Sequence, residues 1–91
     1  MNQLNGRVAI VTGGVQGIGL GVSLCLARAG ANVVLAELVK ENIPASVAKI
    51  EETGVQVFGV QTDVTDASSV DHLVRTAMER FGQIDILVNN A

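Results

Sequence analysis

Thr12-Gly13-Gly14-Val15-Gln16-Gly17-Ile18-Gly19 is the stretch that decides the fold of this chain, and we call it the glycine turn. The apolar residues 7–12 before it predict a short buried strand, and residues 17–30 after it predict a helix that ends at Gly30. Glycines at such a strand-to-helix turn allow positive φ, close packing of helix on strand and close approach of a ligand. Because a helix N-terminus presents free N–H groups and a positive dipole end, the turn predicts a site for a phosphate group, and hence for a nucleotide.

The rest of the chain alternates between strand and helix patterns. Further strands are predicted over residues 31–37, 55–61 and 84–90. Further helices are predicted from Pro44 to Gly54, and from a cap at Thr65 or Asp66 to Gly82. The alternation indicates an α/β fold, a doubly wound parallel sheet with strand order 3-2-1-4 and helices on both faces.

The predicted helices differ in how strongly their buried faces are marked. The second helix has a modest apolar face, for which the sequence offers Ala45, Ala48 and Ile50. The third helix has a strong stripe at steps of three and four residues, formed by Val70, Leu73, Val74, Ala77, Met78 and Phe81. With only the third helix on its face, the sheet is expected to expose Ile84, Ile86 and Val88, or their neighbours, along an unpaired edge strand.

Polar residues follow the carboxyl ends of all four predicted strands. They are the glycine turn, Glu37, Asp63 and the pair Asn89-Asn90. In a doubly wound sheet these ends meet at one edge, and ligands bind there beside the switch point between strands 1 and 4. The sequence therefore predicts one binding site built from four separate segments.

Composition narrows the class of protein. The chain has 91 residues, enough for one small domain, and a net charge of −3 without a basic run, which argues against nucleic acid or an anionic membrane as partner. No apolar run approaches the ~20 residues of a membrane span, and residues 1–6 do not resemble a signal peptide, so a cytoplasmic protein is expected. With Cys25 as the only cysteine, an intrachain disulfide is excluded. Cys25 is predicted to be a small buried hydrophobe, and His72 is predicted to be solvated.

The pattern Thr12-Gly-x-x-x-Gly-x-Gly and the ending Asn89-Asn90-Ala91 resemble the short-chain dehydrogenase/reductase family, and the chain is similar to that family from end to end. The resemblance implies a Rossmann-type sheet and an NAD(P)-dependent oxidoreductase that interconverts a secondary alcohol and a ketone. It also implies that Asp63 accepts from the adenine amino group, that the Val64 backbone meets the ring, and that Asn89 joins the central strands. Its implied cofactor-binding residues are Gly13, Gln16, Gly17, Ile18, Gly19, Glu37, Asp63, Val64, Asn89, Asn90 and Ala91.

Glu37 points to NAD rather than NADP. It follows Gly19 by eighteen residues, near the spacing at which an acidic side chain accepts from the ribose hydroxyls. A carboxylate there repels a 2′-phosphate, and neither Val15-Gln16 nor Leu38-Val39 supplies a positive charge to neutralise one. Lys40 lies close by in sequence, so a dual preference stays open.

The residues that carry proton transfer in the resembled family, a Tyr with a Lys three residues after it and a Ser, fall beyond position 91, and this chain contains no Tyr. No catalytic residue is therefore assigned. Residues 1–91 are expected to be the N-terminal, NAD-binding portion of a domain of about 250 residues, a homo-oligomer at full length that acts on a small-molecule alcohol or ketone. Two alternatives are a non-catalytic NAD-binding module and an inactive truncated product. A third, an S-adenosylmethionine-dependent methyltransferase, is disfavoured by the glycine spacing and the Asn-Asn-Ala ending.

Overall fold

The structure, a computed structural model, describes residues 3–90. Its sheet has four parallel strands in the order β3-β2-β1-β4. The strands are β1 (Val8–Thr12), β2 (Asn32–Glu37), β3 (Val57–Gln61) and β4 (Ile86–Asn89). The predicted fold class and the strand order 3-2-1-4 are confirmed, and the strands are slightly shorter than the sequence pattern suggested.

Three helices connect the strands, and a short 3-10 turn over Lys40–Asn42 precedes the second. Asp66, one of the two predicted caps, begins the third helix by accepting a hydrogen bond from the Ser68 N–H at 3.0 Å. That helix ends at Gly82, whose φ of +76° is the left-handed conformation of a glycine C-cap. The helices are α1 (Gly17–Arg28), α2 (Ile43–Glu51) and α3 (Ala67–Phe81).

The central strands bury side chains on both faces of the sheet because successive strand residues point in opposite directions. Ile10 and Val34 pack in the cluster that contains Leu73 of α3. Val11 and Leu35 pack in the cluster that contains residues of α1 and α2. Helices thus cover both faces, as the doubly wound prediction requires.

The buried face of α2 differs from the prediction. Ser46 and Ile50 are buried, whereas Ala45 and Ala48 are exposed. The helix begins at Ile43, which packs against the core, and positions three and seven residues later share its face. The prediction was wrong for the two alanines because the polar residue Ser46, and not an alanine, faces the sheet in the first turn of α2.

Cys25 is exposed, so the prediction of a small buried hydrophobe was also wrong. The positions of α1 that face the sheet are Ser23 and Ala27, which are both buried. Each residue of an α-helix is rotated by about 100° from the last, which places Cys25 about 200° from either of them. His72 is exposed, as predicted.

The apolar stripe of α3 is only partly buried. Leu73 and Ala77 are buried, but Val74 and Met78 are 41% and 44% exposed, which corrects the predicted stripe. On β4, the edge strand, Leu87 is 67% exposed and lines the same apolar groove as Val74. The exposure expected along the edge therefore falls on Leu87, and the half-buried residues are Ile84, Ile86 and Val88.

Asp85 connects β1 to the segment before β4, at the edge of the sheet away from the glycine turn. Its carboxylate accepts hydrogen bonds from the Val8 N–H at 2.9 Å, from the Gln83 amide at 2.6 Å and from Arg7 at 3.4 Å. These bonds, the one from Val8 above all, hold the pKa of Asp85 below its ordinary value. Asp85 therefore has a structural role, since it joins the start of β1 to the segment before β4.

Asp85→Asn is expected to lower the thermal midpoint at pH 7 and to flatten its decline in acid. A carboxyl group whose pKa is lower in the folded than in the unfolded state stabilises the fold above its ordinary pKa of about 3.9, and this contribution is lost as the pH falls below that value. Thermal unfolding followed by circular dichroism between pH 7 and pH 2.5 measures both effects. Identical pH profiles for the variant and the wild type would contradict the assigned role.

Candidate functional site

The glycine turn uses its glycines in two different ways. Gly13 and Gly17 have φ of +63° and +57°, in the left-handed region that side chains disfavour. Gly19 is required by space, since a Cβ there would overlap the Gly13 carbonyl and lie 2.7 Å from the side-chain nitrogen of Asn90. The turn is therefore shaped by backbone conformation at its start and by close packing at its end.

The first turn of α1 is open to a ligand. Gln16 precedes the helix in an extended conformation, and its side chain forms no capping hydrogen bond. Ile18 is 79% exposed, and a Cβ built on Gly17 would have no atom within 4 Å. The first turn contains no acidic residue, so nothing there opposes an anion at the positive end of the helix dipole.

The carboxyl ends of β1, β2 and β3 enclose a cleft of about 200 Å³, which we call the strand-end cleft. It brings together four of the residues that the sequence singled out, Gly13, Glu37, Asp63 and Val64. One Glu37 carboxylate oxygen, Oε2, accepts a hydrogen bond from the Val39 N–H at 3.2 Å, which orients the side chain at the end of β2. The complete lining of the cleft is Gly13, Ala36, Glu37, Leu38, Thr62, Asp63, Val64 and Thr65.

Asp63 forms a tight local turn. Its Oδ1 accepts from the Thr65 hydroxyl at 2.6 Å and from the Thr65 N–H at 3.0 Å, and its own N–H donates to the Ser69 hydroxyl at 2.9 Å. The two bonds from Thr65 hold the pKa of Asp63 below its ordinary value, so the side chain is an ionised acceptor at neutral pH. Asp63 thus stabilises the turn that leads to α3, and its position in the cleft adds a second carboxylate beside Glu37.

Thr12 at the end of β1 and the asparagines at the end of β4 connect these two neighbouring strands. The Thr12 hydroxyl oxygen lies 3.2 Å from Asn89 Oδ1 and accepts a hydrogen bond from the Asn90 N–H at 2.9 Å. The Asn90 side-chain amide donates to the Gly13 carbonyl at 3.2 Å. The structure thus brings both asparagines to the glycine turn, while Ala91 lies outside the described residues.

The sequence reasoning gave no role to the Thr12 hydroxyl or to the buried hydroxyls of Ser23 and Ser46. The signal for Thr12 is its place in the motif: it is the first residue of Thr12-Gly-x-x-x-Gly-x-Gly and lies at the end of β1. Ser23 donates to the Gly19 carbonyl at 2.9 Å and Ser46 to the Val15 carbonyl at 2.7 Å. No local pattern marks Ser46, since it and Val15 are 31 residues apart, whereas the partner of Ser23 lies only four residues before it.

Two features are absent from the described residues, 3–90. Among them no group of three His, Cys, Asp or Glu side chains is placed to hold a metal ion. None of the helices in this range has the length and hydropathy needed to cross a membrane.

Comparisons with known proteins agree with this architecture. The family model described as short chain dehydrogenase matches residues 7–91. The chain is 44% identical over 88 residues to an uncharacterized oxidoreductase of Thermotoga maritima, and 47% identical over 89 residues to a short chain dehydrogenase/reductase of Aspergillus oryzae. Each alignment covers 97% of this chain and 34% of the relative, so the chain spans about a third of the length of these curated relatives.

Solved structures of dehydrogenases superpose closely on the chain. An NAD⁺-bound xylitol dehydrogenase aligns with a TM-score of 0.94 at 36% identity, covering 98% of this chain and 34% of that protein. A hydroxysteroid dehydrogenase from Escherichia coli aligns with a TM-score of 0.93 at 36% identity, covering 98% and 38%. Together with the family match and the geometry of the glycine turn, these similarities show that the chain belongs to the short-chain dehydrogenase family.

Proposed function

We propose that the protein is an NAD-dependent oxidoreductase that interconverts a secondary alcohol and a ketone, and that residues 1–91 are the cofactor-binding portion of a domain of about 250 residues. The observation that carries the proposal is the position of the Glu37 carboxylate in the same strand-end cleft as Gly13 and Asp63. A cleft bounded by a glycine turn and two acids has donors for a phosphate and acceptors for the hydroxyls and amino group of an adenosine. The NAD⁺-bound state of the similar xylitol dehydrogenase supports this choice of ligand.

The chain offers a group for each part of the adenine-nucleotide half of the cofactor. In the proposal, the backbone of Gly13, Gln16, Gly17, Ile18 and Gly19 holds the pyrophosphate at the start of α1. Glu37 accepts from the adenosine ribose hydroxyls, and Asp63 and Val64 contact the adenine. The backbone of Asn89, Asn90 and Ala91 approaches a cofactor ribose.

The bound cofactor would supply hydride transfer, and the work of this chain is to hold it. The open first turn of α1 and the absence of an acid there favour binding of the pyrophosphate anion. The Val39 N–H orients Glu37 before a ligand arrives, which reduces the ordering needed on binding. We assign no residue of this chain to proton transfer.

The charges around Glu37 favour NAD over NADP. A 2′-phosphate would lie beside the Glu37 carboxylate, which is oriented toward the Val39 N–H, and Leu38 and Val39 are exposed apolar residues that cannot neutralise it. Lys40 is exposed and is the nearest cation in sequence, with no ion pair among the described residues. Because Lys40 could approach a 2′-phosphate, the proposal includes weak binding of NADP.

Glu37→Ala is expected to weaken NAD binding about ten-fold and to weaken NADP binding much less, because it removes hydrogen bonds to a charged group and also removes the repulsion of a 2′-phosphate. Titration calorimetry with NAD and NADP, on the natural protein that carries this sequence, measures the two dissociation constants. Glu41→Ala is the matched control, since it removes an exposed acid four residues away. Equal losses for both cofactors would show that Glu37 does not contact the ribose.

The proposal extends to the partners of the whole protein. We propose a small-molecule alcohol or ketone as substrate, a homo-oligomer, and a cytoplasmic location. Exposed apolar side chains of α3 and β4, namely Val74, Met78 and Leu87, support additional packing by further sequence or by another copy. Absorbance of NADH during incubation with a panel of secondary alcohols tests the activity. Saturable NAD binding without turnover of any alcohol or ketone would favour a non-catalytic module instead.

A further inference from the structure

The tip of the glycine turn is attached to α2 by a buried hydrogen bond. Ser46 is 5% exposed, and its hydroxyl donates to the Val15 carbonyl at 2.7 Å. Val15 is itself 6% exposed and packs in the cluster that contains Leu35 and Ile50. The turn is therefore inserted into the core on the α1 and α2 side, and a side chain 31 residues away in sequence fixes its backbone.

A second side chain holds the start of the same turn. The Asn90 amide donates to the Gly13 carbonyl at 3.2 Å. Between these two points, the Ser23 hydroxyl lies 3.4 Å from the Gly14 carbonyl oxygen. Three successive carbonyl groups of the turn thus have side-chain donors close by, and the shortest of these contacts is the one from Ser46.

The orientation of a carbonyl decides the orientation of the next N–H. No described residue of the chain forms a cis peptide bond, and in a trans peptide the C=O and the following N–H point in opposite directions. Holding the Val15 carbonyl toward the buried Ser46 hydroxyl therefore directs the Gln16 N–H away from the core, at the start of α1. Backbone N–H groups turned outward at a helix N-terminus are the groups that bind a phosphate.

We propose that Ser46 is a positioning residue for the phosphate-binding turn: its hydroxyl fixes the Val15 carbonyl, and so keeps the turn in the conformation that accepts a pyrophosphate. This inference rests on the proposed function, because it concerns the same cofactor site. Ser46 does not line the strand-end cleft and its hydroxyl donates to the Val15 carbonyl, so it acts through the backbone of Val15 and Gln16.

A purely structural serine would behave differently. Loss of its hydrogen bond would lower the stability of the fold and leave the folded protein with the same affinity for every part of the cofactor. A positioning serine affects only ligands that carry a phosphate. Adenosine, which would contact Glu37 and Asp63, and ADP, which adds the pyrophosphate, separate these two roles.

The test measures the dissociation constants of ADP and adenosine by calorimetry. It compares the wild type with Ser46→Ala, both in the natural protein that contains this sequence. We expect ADP to bind about five-fold more weakly to the variant, the typical effect of one lost hydrogen bond, and adenosine to bind with unchanged affinity. Thr53→Val is the matched control. It removes a hydroxyl that donates to the Ile50 carbonyl at 2.8 Å just after α2, away from the turn, and should leave both dissociation constants unchanged.

Equal changes for ADP and adenosine, or an unchanged ADP affinity in the folded variant, would overturn the role of Ser46. If Ser46→Ala does not fold, Ser46→Cys keeps a weak donor of similar size and should shift the ADP constant in the same direction by a smaller factor. A wild-type protein that binds adenosine but neither ADP nor NAD would overturn the proposed function together with this inference. Normal wild-type binding with unaffected variants would overturn this inference alone.

Discussion

Gly19→Ala is expected to lower the free energy of unfolding by about 3 kcal/mol, the upper part of the usual range for overpacking. The added Cβ would overlap the Gly13 carbonyl, a backbone group that cannot rotate away, and would lie 2.7 Å from the Asn90 side-chain nitrogen. Relief requires α1 to move away from β1 or the glycine turn to change conformation. A change in the turn would disturb the hydrogen bond from Asn90 to the Gly13 carbonyl, and either movement displaces the start of α1 from the proposed pyrophosphate site, so NAD binding should also be lost.

Urea denaturation of the wild type and Gly19→Ala measures this loss, with Gly21→Ala as the control. Gly21 lies two residues further along α1, where an added Cβ would meet no atom within 4 Å. There the alanine should stabilise the helix by about 0.5–1 kcal/mol, because glycine is the poorer helix former. If the two variants had equal stability, the close approach of α1 to the turn at Gly19 would be refuted.

The arrangement of the sheet could be predicted because its physical causes are local. β2 is a nearly continuous apolar run, as expected of a parallel strand buried on both faces, and its residues are buried from Val33 to Ala36. Gly17, Gly30 and Gly82 were placed at turns or helix ends, and all three have positive φ. The meeting of Gly13, Glu37 and Asp63 in one cleft then follows from the topology, since carboxyl ends of parallel strands share one edge.

The features that sequence did not predict depend on pairs of residues far apart in the chain. Ser46 is a polar residue in an apolar position, and only the Val15 carbonyl 31 residues away explains its burial. Asp85 looks like an ordinary acid at the start of a strand, yet its carboxylate accepts a hydrogen bond from the Val8 N–H, 77 residues away in sequence. The predicted burial of Cys25 was wrong for a simpler reason: α1 is apolar on most of its surface, so its sequence does not show which side faces the sheet.

Gly17→Val is expected to weaken NAD binding by about 100-fold, or about 2.8 kcal/mol, while the fold persists. A Cβ at Gly17 would meet no protein atom within 4 Å, so the valine side chain would occupy the open space at the start of α1. In the proposed function this is the space of the pyrophosphate. The φ of +57° adds a strain of about 1–2 kcal/mol for any residue with a Cβ, which lowers stability without preventing folding.

Gly54→Val separates the strain from the obstruction. Gly54 also has a positive φ, +98°, and open space around its Cβ position, but it lies between α2 and the amino end of β3, at the opposite edge of the sheet from the strand-end cleft. Both variants should lose thermal stability, and only Gly17→Val should lose NAD affinity in titration calorimetry. If both variants bound NAD as tightly as the wild type, the first turn of α1 would be excluded as the pyrophosphate site. If both lost NAD affinity, the cause would be backbone strain. Affinity lost at Gly17 alone would leave obstruction of the cofactor as the cause, because strain and open space are common to the two positions.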